Sequence, residues 1–382
     1  MISGVRRAGK STLLRLLADQ IIQMVPPENI LYLNFDDERL VHFTVDDFQS
    51  LLELFWEQCA AAGPYFFLLD EIQNIRYWEK WVNRLYEQEK IKVFVTGSNA
   101  TLLNSEIASS LTGRNQTISL YPFSFREFLR LRNKESNLQL TSKQNVELFK
   151  EWKVYLERGA FPQVISSGNT EFLQNYFQDI LYKDIIARYS IRHSAEIKEM
   201  AFYLASNLGN TMSYQKLASL TGIKSVSMIK RYWDYFQYSF LFFKIHKFDY
   251  SVKKQLYNPA KNYGIDVALM RQIGFSMSEK SGAALENIVF IHLRRRNKEV
   301  YYQQGKQECD FLVKEGRKIV HAIQVCQEIQ PQNEAREFGG LLEALSTYGL
   351  SEGLILTENQ ERLIQKDGKK IVIQPVWKWQ LE

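Results

Sequence analysis

The first 128 residues alternate between short continuous apolar runs and stretches whose apolar residues recur at helical intervals. Leu13, Leu14, Leu16, Leu17 and Ile21 share one helical face and predict a helix over 11–24. The run 30–35 predicts a buried strand, 45–61 a helix and 65–69 a second buried strand. A helix over 78–88 and a third strand over 92–95 follow. Continuous apolar strands separated by helices predict a parallel sheet covered on both faces. From 145 to 190 the pattern is helical, with a break at Gly159-Ala-Phe-Pro162, and 195–248 predicts further helices joined by short turns. The character changes near 283. A helix over 285–295 precedes strands near 300–303, 308–314 and 318–325, then a helix over 333–348 and a strand over 354–357. This is a second α/β unit, and the chain has no internal repeat.

Composition narrows the picture modestly. A chain of 382 residues is too long for one ordinary core and predicts two or three domains. Aromatic residues reach 13%, which argues for well-filled cores and against disorder. The net charge of +5 permits a nucleic-acid partner without demanding one. Cys59, Cys309 and Cys326 form no CxxC pair, so neither a metal cluster nor a disulfide framework is signalled. A reducing, cytoplasmic location is the simplest expectation. No apolar run is long enough to span a bilayer, since 240–245 is short and broken by Lys244. Arg6, Arg7 and Lys10 stand where a signal peptide would turn apolar.

The chemistry begins almost at the first residue. Gly4-Val-Arg-Arg-Ala-Gly9-Lys10-Ser11 fits the phosphate-loop pattern G-x-x-x-x-G-K-[ST] at every defined position. Gly4 and Gly9 let backbone N–H groups curl round phosphates, with Arg7 inside the loop and Thr12 opening the helix behind it. Lys10 is placed to reach the β and γ phosphates of ATP, and the Ser11 hydroxyl to ligate Mg2+. A helix starting here points its positive end at the anion. The strand 65–69 ends in Asp70-Glu71, a Walker B pattern in which Asp70 holds magnesium and Glu71 polarises the attacking water. After the third strand, Ser98 suits a sensor of the γ-phosphate, with Asn99 as the alternative and a plain strand-to-loop turn equally open. Arg114 in Leu111-Thr-Gly-Arg114 could reach a γ-phosphate in its own or a neighbouring subunit, or be a solvated surface arginine.

Taken in order, GVRRAGKST, NFDDERL, FFLLDEIQNI, VTGSNATLL, LTGR and YPFSFREFL resemble a group of prokaryotic AAA-type ATPases. These are the archaeal-type, STAND-related ATPases that carry a C-terminal domain of unknown function. The resemblance implies ATP and Mg2+ as ligands and covers nearly the whole chain. It implies that a helical segment and the first strand usually precede the loop. Here only Met1-Ile-Ser does, so a truncated first strand is expected.

The resemblance extends to the C-terminal half. Residues 212–222 and 225–240 resemble the helix–turn–helix of a winged-helix segment, with Ser213 as cap and Gly222 in the turn. Lys224, Lys230 and Arg231 could meet DNA phosphates. Met228, Ile229, Tyr232, Trp233, Tyr235 and Phe236 make the second helix strongly apolar, which favours a packed structural role. The last part resembles the PD-(D/E)xK, restriction-endonuclease-like fold. Glu286 and Asp310 match its acids, but Gln324 replaces the second acid of the motif and Cys326 replaces its lysine. Nuclease chemistry is therefore expected to be lost, with Gln307, Glu308 and Lys318 as partial substitutes.

The expected organisation is an AAA-like P-loop domain (1–130), a helical region (131–194), a winged-helix-like domain (195–275) and an inactive nuclease-like α/β domain (276–382). The expected function is an ATP-driven molecular switch or assembly factor acting on a protein partner or a second copy. A DNA-processing protein and a nucleotide-sensing remnant are the competing expectations. No membrane partner is expected.

Overall fold

The apolar runs at the start of the chain become strands of one parallel sheet. In the computed structural model the described residues are 1–59, 62–89, 91–98, 116–134, 140–274 and 281–382. Internal contacts divide the chain into two compact units, Met1–Tyr121 with Tyr238–Phe240, and Pro122–Gln237 with Leu241–Glu382.

The first unit runs β1 (Ile2–Gly4), α1 (Lys10–Ile21), β2 (Ile30–Asn34), α2 (Asp47–Gln58), β3 (Phe66–Asp70), α3 (Trp78–Arg84), β4 (Lys92–Gly97) and β5 (Ile118–Leu120). The sheet order is β2-β3-β4-β1-β5. Every pairing is parallel. Strand alternation sorts the core onto two faces. Phe67 and Leu69 join Phe48, Leu52, Trp78 and Trp81 on one side, while Phe66 and Leu68 join Leu14 and Ile21 on the other. The Phe48 and Trp81 rings stack with centroids 4.0 Å apart. Each fully buried side chain of this kind contributes roughly 1.5–3 kcal/mol. The strand β2 is half-buried along its length rather than buried, because it lies at the sheet edge.

The strand β1 has three residues, yet it sits inside the sheet, with Ile2 opposite both Thr96 and Ile118. The Met1 amino group extends this ladder by donating to the Gln116 carbonyl at 2.8 Å. In β4, Lys92 to Val95 pair with β3, and Thr96 and Gly97 pair with β1. A cleft of about 420 Å³ lies there, lined by Leu13, Leu17, Val93, Val95 and Ile118 among others.

The second unit opens with helices α4 (Phe125–Leu131), α5 (Ser142–Arg158), α6 (Pro162–Ser167) and α7 (Phe172–Asp179), the last running on as a π-helical stretch, Ile180–Ala187. The segment Pro122-Phe-Ser-Phe-Arg-Glu127 has a local cause. Ser124 and Glu127 form a capping box, with the Glu127 N–H donating to Ser124 Oγ and the Ser124 N–H to Glu127 Oε2. The predicted break at Gly159 is real: Gly159 adopts φ +80°. A side chain there would meet the Asp266 carboxylate at 2.6 Å.

Next come α8 (Ser194–Ser206), β6 (Thr211–Met212), α9 (Tyr214–Thr221), α10 (Val226–Tyr238), β7 (Phe242–His246), α11 (Val252–Tyr257), β8 (Ala260–Gly264) and α12 (Val267–Ile273). Ser213 caps α9 and Gly222 ends it at φ +70°. Residues 242–246, expected to continue a helix, form a strand instead. They pair antiparallel with β8, within a three-stranded sheet ordered β6-β8-β7. Phe240, at φ +60°, turns the chain out of helical geometry just before it.

The chain ends with α13 (Ser281–Arg295), β9 (Glu299–Gln304), β10 (Glu308–Glu315), β11 (Lys318–Val325), α14 (Glu334–Thr347), β12 (Glu352–Thr357), β13 (Arg362–Lys366), β14 (Lys369–Pro375) and α15 (Val376–Trp379). These strands form a mixed sheet ordered β13-β14-β12-β11-β10-β9. Phe338, Leu341, Ala344 and Leu345 of α14 pack on Cys309, Leu312, Ala322 and Ile355 of the sheet. Gly340 makes that approach close, since a Cβ on it would lie 2.0 Å from the Glu308 carbonyl oxygen. Cys309 and Cys326 are buried thiols, and the Cys59 thiol donates to Asn29 Oδ1 at 3.2 Å. Among the described residues no helix is long and apolar enough to cross a membrane.

Candidate functional site

The loop after β1 and the ends of β3 and β4 meet at the carboxyl edge of the parallel sheet, where open α/β sheets take ligands. Gly4 ends β1, and its need for glycine is steric: a Cβ would lie 2.1 Å from the Leu120 carbonyl oxygen of β5. Gly9 caps α1 with φ +102°, a left-handed conformation, and no side chain caps the helix. The first N–H groups of a twelve-residue helix are thus left for an anion, and no acidic residue stands in the first turn. Arg7 is exposed and also left-handed, at φ +69°. Ser11 is half-buried and Thr12 exposed, both in the first turn of α1.

Lys10 is almost fully buried. Its Nζ lies 3.3 Å from the Val5 carbonyl and 3.5 Å from Glu71 Oε1, so the loop lysine and the strand-end acid share one place. Burial alone would raise the Glu71 carboxyl. Lys10, the Gln73 amide and Arg6 outweigh burial and hold it below the usual carboxylate range. Glu71 itself sits at φ +50°, a strained backbone for a glutamate.

Asp70 is fully buried and held on both oxygens. Thr96 of β4 donates to Oδ1, and Tyr32 of β2 donates to Oδ2 at 3.2 Å. The Thr96 oxygen in turn accepts from the Glu71 N–H at 2.9 Å. Ser98 is buried just beyond β4. Asn99 and Arg114 lie outside the described residues. The donor set fits a hard cation carried by a phosphate ligand. Asp70 and Ser11 supply oxygens of the right type, and Mg2+ keeps several waters and takes phosphate oxygens for the rest.

The second unit holds another charged cluster, at the wall of a cleft of about 1000 Å³. Glu286 of α13, Glu308 and Asp310 of β10, and Gln324 of β11 all line it. Cys326 is buried, and burial pushes its thiol up to about 12, so it carries no charge there. Gln324 receives no cation either. It donates to Glu337 Oε2 at 2.9 Å and accepts from the Asp310 N–H at 3.3 Å. Lys318 opens β11 in an exposed position, opposite Glu315. The ammonium of the cluster comes from elsewhere. Lys261 of β8, 1% exposed, places its Nζ 2.9 Å from Glu286, 2.7 Å from Glu308 and 2.9 Å from Asp310.

Comparison with known proteins finds an AAA domain at the start of the chain. Residues 1–129 match the family model of the AAA domain, and residues 149–279 match a domain of unknown function (DUF8612). An uncharacterized protein of Methanocaldococcus jannaschii is 35% identical, with 100% of this chain and 88% of that one aligned. An uncharacterized protein of Haemophilus influenzae is 33% identical over 99% of this chain and 93% of its own length. The chain belongs to this family of AAA-domain proteins. A second Methanocaldococcus jannaschii protein, also uncharacterized, is 24% identical over 82% of the chain and 72% of its own.

The AAA-domain chain therefore begins with a nucleotide-binding ATPase-type domain. Sequence reasoning missed two residues of its site. Thr96 ties Asp70 to Glu71 across two strands, and Tyr32 holds the far oxygen of Asp70. Both face Asp70 through the β2-β3-β4 register, which pairs Asn34 with Asp70 and Leu69 with Val95. A polar residue at the carboxyl end of an otherwise apolar run was the available signal, and Thr96 in Val95-Thr-Gly carries it. The AAA-domain chain's Lys261 was missed because its partners lie 25 to 49 residues away.

Proposed function

We propose that this AAA-domain protein is a magnesium-dependent ATPase that works as a molecular switch or assembly factor. One observation carries the reading: the buried Lys10 ammonium and the Glu71 carboxylate lie 3.5 Å apart, at the uncapped start of α1. In this reading Gly4, Arg7, Gly9, Lys10, Ser11 and Thr12 hold the nucleotide. Asp70 and Ser11 hold Mg2+, which supplies charge neutralisation on the phosphates. Lys10 leaves its loose contacts with Val5 and Glu71 for phosphate oxygens, which frees the Glu71 carboxylate to orient and deprotonate water. The Gln73 amide and Arg6 remain beside it and favour the charged form that this role needs. Ser98 and Arg114 complete the proposal as γ-phosphate sensors.

We place the protein in the cytoplasm, in keeping with three cysteines that form no CxxC pair. The four-part organisation stands as part of the same proposal, with a winged-helix-like segment over 195–275 and an inactive nuclease-like part over 276–382. The test is phosphate release and thermal shift with ATP and Mg2+ in the parent, Lys10→Ala and Glu71→Gln. A parent that neither shifts nor releases phosphate overturns the reading.

A second reading, DNA handling, is favoured by exposed basic and aromatic residues in two segments. Between β7 and β8, Tyr250 and Tyr257 are 84% and 81% exposed, with Lys253 and Lys254 exposed between them. Lys224, Lys230 and Arg231 are exposed at and before α10. Exposed aromatics among lysines suit base stacking and phosphate contact. Salt-sensitive duplex binding, weakened by Lys253→Ala with Lys254→Ala, supports it; absence of binding at low salt removes it.

A further inference from the structure

We infer that the Lys261 ammonium takes, from inside the fold, the place of a divalent cation among Glu286, Glu308 and Asp310, so that this cleft is built to stand without a metal.

A lysine ammonium has three donors and no acceptor. Here it donates to Glu286 and Asp310, each at 2.9 Å, and forms an ion pair with Glu308 at 2.7 Å. Three carboxylates converging on one point are the donor set of a hard cation, and they repel one another unless a positive charge stands between them. The convergence is imposed by the scaffold. A register shift in β10 between Cys309 and Leu312 interrupts its ladder with β9 at Asp310. The second oxygen of Asp310 is held by the Val325 N–H at 2.9 Å. The Tyr263 hydroxyl fixes Glu286 Oε1 at 2.6 Å. Gly209, at φ +74°, closes the other side of Glu286, because a Cβ there would lie 2.9 Å from Oε2.

The lysine is equally fixed. It shares a strand face with Tyr263, while Asn262 between them turns the other way and donates to the Leu204 carbonyl. Burial alone would discharge the lysine. Asp310, Glu286 and Tyr263 outweigh burial and keep it charged across the whole physiological range. The side chain is almost wholly buried, which keeps solvent from the ammonium. The ammonium also joins β8 to α13 and β10, and so ties the segment matched by the domain of unknown function to the final sheet.

The test uses the full chain without nucleotide. Terbium luminescence, sensitised through the nearby Tyr263, and displacement by Mn2+ are compared in the parent, Lys261→Met, Asp310→Asn and the double variant. In the parent, terbium and Mn2+ binding are expected to be indifferent to Asp310→Asn. In Lys261→Met a saturable site appears, displaced by Mn2+ and weakened at least tenfold by adding Asp310→Asn. Metal binding in the parent that is lost with Asp310→Asn overturns the inference, as does a folded Lys261→Met that gains no site. If Lys261→Met is unfolded alone, Mn2+ is expected to restore a cooperative melt to it or to the milder Lys261→Gln. Failure of both variants to regain a melt with Mn2+ counts against the inference.

Discussion

Two buried lysines in this chain meet carboxylates in opposite ways. Lys10 touches one carboxylate and one carbonyl, both beyond 3.2 Å, at the open start of a helix. Lys261 touches three carboxylates, all within 2.9 Å, behind the wall of a cleft. Equal burial therefore does not mean equal role. A lysine with loose partners retains donors for an incoming phosphate, whereas a lysine set among three close carboxylates is part of the framework. Contact geometry, not residue type or depth, separates the two lysines.

The contrast breaks most easily at the first site. Glu71→Gln is expected to lower ATP turnover by about 10²–10⁴-fold while leaving the nucleotide-induced thermal shift in place, since it removes the base and not the phosphate contacts. Lys10→Ala is expected to abolish both. If Lys10→Ala left the thermal shift intact, the two lysines would differ less than their geometry indicates.

At the second site the effect is on stability. Lys261→Met leaves buried carboxylates without their counter-charge and is expected to cost about 3–5 kcal/mol in urea unfolding of the metal-free chain. Lys10→Ala, measured the same way, is expected to cost far less. A smaller effect follows from pH. The Glu286 carboxyl is raised from its ordinary 4.5 to about 7, by burial first and by Asp310 second, against Lys261 and Tyr263. The folded protein therefore holds a proton that the unfolded chain releases between these values. Stability from this group falls as pH rises from about 4.5 to 7, by up to about 3 kcal/mol, and is not regained above 7. Glu286→Gln is expected to flatten that part of the stability–pH curve. The smallest effect is at Tyr32→Phe, which removes one of the two hydroxyls on Asp70. It is expected to cost about 1 kcal/mol and to weaken magnesium-dependent nucleotide binding a few-fold, as read by thermal shift at varied Mg2+.

The first site was largely legible because its chemistry is contiguous. The loop from Gly4 to Ser11 and the pair Asp70-Glu71 each lie on one short segment, and the strands that carry them are plain apolar runs. What escaped was everything that register decides. Thr96 and Tyr32 reach Asp70 only because β2 and β4 flank β3, and a strand-to-strand contact leaves no mark in either segment alone. The same limit explains residues 242–246. Phe242, Phe243 and Ile245 fit a helix or a strand equally, and pairing with β8 chose the strand. Lys261 is the extreme case. In the sequence it is one lysine between alanine and asparagine, and its meaning comes from a helix and a strand far along the chain. The substitutions at Gln324 and Cys326 were visible, but not that a lysine from β8 supplies the positive charge of the cleft.

The glycine at 340 gives the closed cluster a mechanical input. Its bare Cα is what allows α14 to rest against the main chain of β10 at Glu308. A single methyl group there would have to push that backbone away, and Glu308 would carry one of the three ammonium contacts with it. Crowding on the helix side of the sheet would then be felt in the cleft as unbalanced charge, with no ionisable residue altered.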